Sequence, residues 1–141
     1  MAMMSSVCLE NLVEIGKWMG KAHEYIELYT GEMGAVVAGE DLGQGRKFKV
    51  LADYNLKEMD AAATRIMESC PQQAPFRESA ADPRVQYATH LQNIYGQLAN
   101  DDIIHALIQM RGLESAIMEW VNDIAFAGGA YRHATTGASR R

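Results

Sequence analysis

The sequence predicts an all-α protein: a four-helix bundle-like domain led by a long first helix. Three observations predict it. Apolar residues recur at alternating steps of four and three from Cys8 to Val36, the period of one helix face. The same stepping returns in three later segments. Helix-boundary signals separate those segments, with Pro71, the pair Asp82-Pro83 and the run Asn100-Asp101-Asp102 as the clearest. The chain has 141 residues, 48% apolar and 22% charged, which suits a single domain whose core needs no metal or disulfide staple. Nine methionines stand against three phenylalanines, so parts of the core or of a contact surface are adaptable.

Helix one is expected over about 6–38. Cys8, Leu12, Ile15, Met19, Ala22, Ile26, Tyr29, Met33 and Val36 form its stripe, sustained like coiled-coil heptads. Ser5 or Ser6 can cap its start. Gly16 and Gly20 lie one turn apart and leave a bare surface that another helix can approach closely. Gly31 and Gly34 mark a kink or an early end. Residues 39–53 read as a connector, because Gly39, Gly43 and Gly45 break the helix. Within it, Arg46-Lys47-Phe48-Lys49-Val50 alternates like a short extended piece over 46–50.

Helix two is expected over about 55–70, with Asn55 and Glu58 at capping-box spacing and Leu56, Met59, Ala63, Ile66 and Cys70 on its stripe. A loop with Pro75 follows. Asp82-Pro83 then supplies an N-cap and a proline at the first helical position, opening helix three over 83–99 with Tyr87, Leu91, Ile94 and Leu98 inward. Helix four, over 101–127, carries Leu107, Met110, Ile117, Val121 and Ile124. The last two stripes are out of heptad phase, which favours a break at Asn100-Asp101-Asp102 over one straight helix. Residues 1–5 and the polar tail at 128–141 flank the single domain at 6–127 as flexible ends.

On this reading helix one is about twice as long as helix two, so part of its stripe lacks cover within the chain. Self-association is the commonest use of such a surplus, and a homodimer is expected.

Charge narrows the partners. The net charge is −5. Seven acids (Glu10, Glu14, Glu24, Glu27, Glu32, Glu40, Asp41) face only Lys17 and Lys21 before Arg46; beyond it, acids and bases balance. This opposes duplex binding, which works by neutralising phosphates. The start lacks a basic segment and is interrupted by Glu10, unlike a secretory signal, and no apolar run is long enough to span a membrane. Two cysteines without a signal point to reduced thiols in the cytoplasm. A Cys8–Cys70 bridge is not expected: with helix two starting at Asn55, Cys70 falls opposite the middle of helix one, beyond disulfide reach.

No catalytic pattern emerges, and no cofactor is expected. The segment His23-Glu24-Tyr25-Ile26-Glu27 has Glu27 where the zincin motif needs a second histidine. Gly43-Gln44-Gly45-Arg46-Lys47 lacks phosphate-loop spacing, although Arg46, Lys47 and Lys49 could grip an anion or an acidic partner. A metal- or small-ligand-binding bundle built on His23, Glu27, Asp102 and His105 is the alternative reading, with half the ligands of a bundle dimetal site missing. The leading expectation is a non-enzymatic protein-binding module, acting sterically as a small regulator, adaptor or inhibitor of the immunity or phage anti-host kind. Its binding face would be the acidic flank of helix one, with Glu10, Glu14 and Glu24 around the aromatic anchors Trp18 and Tyr25. Trp120 and Tyr131 are further anchor candidates, with packing at a core edge equally common for such residues.

Overall fold

The structure, a computed structural model, describes residues 5–37, 45–72 and 81–127. Four helices follow one another: α1 (Ser6–Val37), α2 (Gly45–Ser69), α3 (Pro83–Ala99) and α4 (Ile103–Ala127). No strand occurs among the described residues. The flanking segments 1–4 and 128–141, including Tyr131, lie outside them, as do most of the two longer connections.

Cross-links along the bundle set its topology. The start of α1 meets the end of α2 at Cys8 and Cys70. Tyr29, near the other end of α1, and Lys49, near the start of α2, both reach Asp101 in the α3–α4 turn. His90 lies against Gly112, the two being equally far from that turn. Lower down, His23 bonds Glu114, Tyr87 bonds Asp60 and Trp120 bonds Gln72. The helices therefore run up, down, up and down, with α1 packed on both α2 and α4.

The stripes behave as their period requires. Cys8, Ile15, Ala22, Ile26 and Tyr29 of α1 are buried, while for Met33 and Val36 the description stops at the helical backbone. Tyr87, Leu91, Ile94 and Leu98 of α3 are all buried. Ile15, Ile26, Leu56, Met59, Ile66, Ile94, Met110, Leu113 and Ile124 are almost wholly removed from solvent, each contributing about 1.5–3 kcal/mol of transfer free energy.

Boundaries follow local chemistry. Ser5 accepts the Cys8 amide at 3.0 Å and caps α1. Asp82 accepts the Arg84 amide and Pro83 opens α3. Helices α3 and α4 are separate. Asp101 adopts φ 56°, and the Asp102 and Asp101 amides donate back to the carbonyls of Gln97 and Leu98. That is the Schellman closure of a helix C-terminus, with an aspartate in the left-handed position usual for glycine.

The expectations that fail around α2 share one cause. Residues 46–50 are helical, because α2 begins at Gly45 rather than Asn55. Phe48 and Ala52 start the stripe that Leu56, Met59, Ala63 and Ile66 continue, so the period over 48–66 is that of a helix. Asn55 is no cap. It is buried inside the helix, where its side-chain amide donates to the Leu51 carbonyl at 2.7 Å. With ten more residues, α2 returns along most of α1 and brings Cys70 to Cys8 as a disulfide, with Cα atoms 4.9 Å apart. The same length helps to bury Cys8, Ile15, Ala22, Ile26 and Tyr29 of the α1 stripe within one chain, so the mismatch in helix length that argued for a homodimer is smaller than expected. Gly31 and Gly34 neither end nor interrupt α1. No described helix is long and apolar enough to cross a membrane.

Candidate partner-docking face

Turning the core stripe of α1 inward fixes what its opposite side shows to solvent. Leu9, Val13, Gly16 and Gly20 step by four, three and four, one residue behind Cys8, Leu12, Ile15 and Met19. They therefore form a second stripe on the outer side of the helix. Leu9 is 47% and Val13 71% exposed. A Cβ added at Gly16 or Gly20 would meet nothing within 4 Å, so no part of the chain uses the bare surface there. Beside the stripe opens a groove of about 630 Å³ lined by Val7, Leu9, Glu10, Asn11, Val13, Glu14 and Arg65.

This end of α1 is held firmly. The disulfide ties it to α2. Buried Asn11 donates to the Val7 carbonyl at 2.8 Å and accepts from Arg65 Nε of α2 at 2.7 Å. Its donor and acceptor needs are thus both met, and Arg65 is fixed at the groove wall. A pre-ordered surface loses less entropy on binding than a mobile one.

The residues expected to bind a partner divide around the helix. Glu10 and Glu14 line the groove, whereas Glu24 is exposed three turns along. Trp18 donates to Glu14 Oε2 at 2.8 Å and meets Tyr54 of α2 edge-on at 6.1 Å, with Lys17 and Lys21 over its ring. Tyr25 stacks on Phe48 of α2 at 6.5 Å. Both aromatics are half-buried along the α1–α2 seam. Trp120 is buried, donates to Gln72 and packs against Tyr87.

The basic set lies on the first turns of α2 instead of a loop. Lys49 pairs with Asp101 at 3.0 Å, while Arg46 and Lys47 are exposed. The proposed metal quartet is split. Glu27 approaches Nε2 of His23 at 3.1 Å and Glu114 approaches Nδ1 at 3.1 Å, so the two carboxylates sit at opposite edges of one ring and cannot converge on one ion. Asp102 meets His105 at 2.8 Å at the head of α4. Among the described residues no group of three or more metal-ligating side chains could hold an ion.

The displaced pKa values of Tyr29, Asp101 and Tyr87 belong to joints between helices. Burial, reinforced by Asp101, raises the Tyr29 phenol to about 12. The hydrogen bonds from Tyr29 and Lys49 lower Asp101 in turn. Burial above all, then its bond to Asp60 at 2.7 Å, raises Tyr87. Arg84 is raised by its bond to Asp82, a largely buried pair at 2.6 Å.

Comparison with known proteins gives one result. The chain matches no family model, no curated protein and no solved structure. Its site must therefore be read from its own surface. Besides the α1 face, Ile104, Ile108, Met118 and Phe126 are exposed on α4, where Arg111, Ser115 and Asn122 interrupt the same stripe.

Leu9, Val13 and Arg65 were missed in the sequence. The signal existed for the first two, since their four-three-four stepping with Gly16 and Gly20 equals that of the core stripe. Arg65 and Glu114 left none, because each is placed by contacts between helices distant in sequence.

Proposed function

We propose that this chain is a non-enzymatic protein-binding module, a small regulator, adaptor or inhibitor that acts by covering a working surface of its partner. The observation that carries this reading is the exposed ridge of Leu9 and Val13 beside the acidic groove wall of Glu10 and Glu14, on a helix end pinned by a disulfide. Apolar side chains this exposed, grouped on a rigid helix and rimmed by charge, mark contact surfaces. The binding face is thereby shifted from the one expected: Glu10 and Glu14 stay, Leu9 and Val13 join them, and Trp18 and Tyr25 support the seam behind. A cytoplasmic setting rested on two reduced thiols, and the bridge withdraws that ground, since disulfides persist in oxidising compartments.

Capture from the native cell with wild type and with a Leu9→Glu/Val13→Glu variant tests the proposal. Both substitutions are on exposed positions, so helix content and melting temperature should be retained while specific partners are lost. A partner set unchanged by the double variant rejects this face.

A further inference from the structure

The α1 face carries a pattern that names its occupant, and the following inference rests on the binding reading above. We propose that this face pairs, antiparallel, with the same face of a second copy of the chain, about a two-fold axis beside residues 14 and 15.

In an antiparallel helix pair related by a two-fold axis, residues whose numbers share a constant sum lie opposite one another. A sum of 29 places Leu9 on Gly20 of the other copy and Val13 on Gly16. Each large exposed side chain then enters a space where a Cβ would meet nothing within 4 Å. Knobs face holes, and the backbones can approach closely.

Charge supports the same antiparallel orientation independently, at a nearby register. One flank of the stripe carries Glu10, Glu14, Lys17 and Lys21. In such a pair the same flank of both copies lies on one side, so Glu10 faces Lys21 and Glu14 faces Lys17, twice over. Their numbers sum to 31, so in this register the paired charges stand two residues out of level, about 3 Å, which long side chains absorb. A parallel pair would set Leu9 on Leu9, Val13 on Val13 and glycine against glycine, and would put the two charged flanks on opposite sides.

The lone chain leaves this flank poorly matched. Glu10–Glu14 and Lys17–Lys21 are like charges at i, i+4, an unfavourable spacing on a helix, set against one favourable i, i+3 spacing, Glu14–Lys17. No ion pair engages Glu10, Lys17 or Lys21 among the described residues. The two lysines instead lie over Trp18, at 4.8 and 5.7 Å from its ring centre. Antiparallel pairing gives every one of these charges an opposite partner.

Sedimentation equilibrium on the full chain tests this with two variants, Lys17→Glu/Lys21→Glu and Glu10→Lys/Glu14→Lys. Wild type should dimerise, more weakly as salt rises. Each variant alone should self-associate at least about tenfold more weakly, and an equimolar mixture should form a heterodimer. Gly20→Leu, which fills the hole without touching the monomer's own packing, should abolish the dimer while preserving helix content. A wild-type chain that stays monomeric, or dimers that persist in both charge variants and in Gly20→Leu, overturns the proposal. If the wild type is monomeric yet Leu9→Glu/Val13→Glu still loses captured partners, self-pairing fails and the binding reading stands.

Discussion

Single side chains hold the helices in register, and Asp101 is the clearest case. It closes α3 in a left-handed conformation, where glycine would be less strained, and it takes hydrogen bonds from Tyr29 and Lys49. Asp101→Gly should relieve the backbone yet cut both links to the α1–α2 hairpin, so it should gain nothing in denaturant unfolding. Because the folded carboxyl is held below its ordinary 3.8, its contribution is present above that value and is lost as pH falls through the lowered one. The phenols behave oppositely. Tyr29 and Tyr95 are raised from 10.0 to about 12, so their contribution is complete below pH 10 and is lost as pH rises towards 12. Ultraviolet titration should show these two, with Tyr87, ionising later than free phenols, and Tyr29→Phe should remove one of the late steps. Glycines give a second contrast. A Cβ at Gly112 would come within 2.4 Å of the His90 ring, which is bonded to Gln109 at 2.6 Å, whereas one at Gly31 would meet nothing within 4 Å. Gly112→Ala should therefore cost about 1–3 kcal/mol, and Gly31→Ala should stabilise by up to about 1 kcal/mol; chemical denaturation of the two variants checks both signs.

At the scale of elements, the α1–α2 hairpin sets the result. Its disulfide joins residues 62 apart in sequence, for which the chain-entropy model gives roughly 4 kcal/mol. Cys8→Ser/Cys70→Ser should lower the free energy of unfolding by about 2–4 kcal/mol, and a reducing agent should lower the melting temperature of wild type but not of the variant. Helix α3 was fully legible, because a capped proline start and four apolar residues at helical spacing agree with one another. Helix α2 was legible only from Asn55 onward. Gly45 and the five alternating residues after it imitate a connector, and only tertiary packing of Phe48 and Ala52 shows that the helix has already begun. From that misplaced start followed the missed bridge and the supposed surplus of stripe. The docking face was half legible. Gly16 and Gly20 stood out as bare, but Leu9 and Val13 each follow a core residue directly, so two stripes one residue apart merge into apolar pairs on the page. Arg65, Glu114 and Asp101's partners depend on three-dimensional neighbours and have no local pattern.

For the whole molecule, one core serves all four helices, so damage to it should be felt everywhere. Leu113→Ala, at a position with no exposure, should cost about 2–5 kcal/mol and broaden amide-exchange losses across α1 and α3 as well as α4. The outer surface is correspondingly free to vary, which is why Leu9→Glu/Val13→Glu is expected to alter association without altering the fold. The Cys8–Cys70 bond has a further consequence for chain topology. It makes residues 8–70 a closed covalent ring, with α3 and α4 as a pendant tail. One peptide cut anywhere inside the ring leaves a single molecule of undiminished mass under non-reducing electrophoresis, and two fragments appear only after the thiols are released. A cut outside the ring separates the pieces at once, so a protease digest run both ways reads off whether each cleavage fell inside the ring or beyond it.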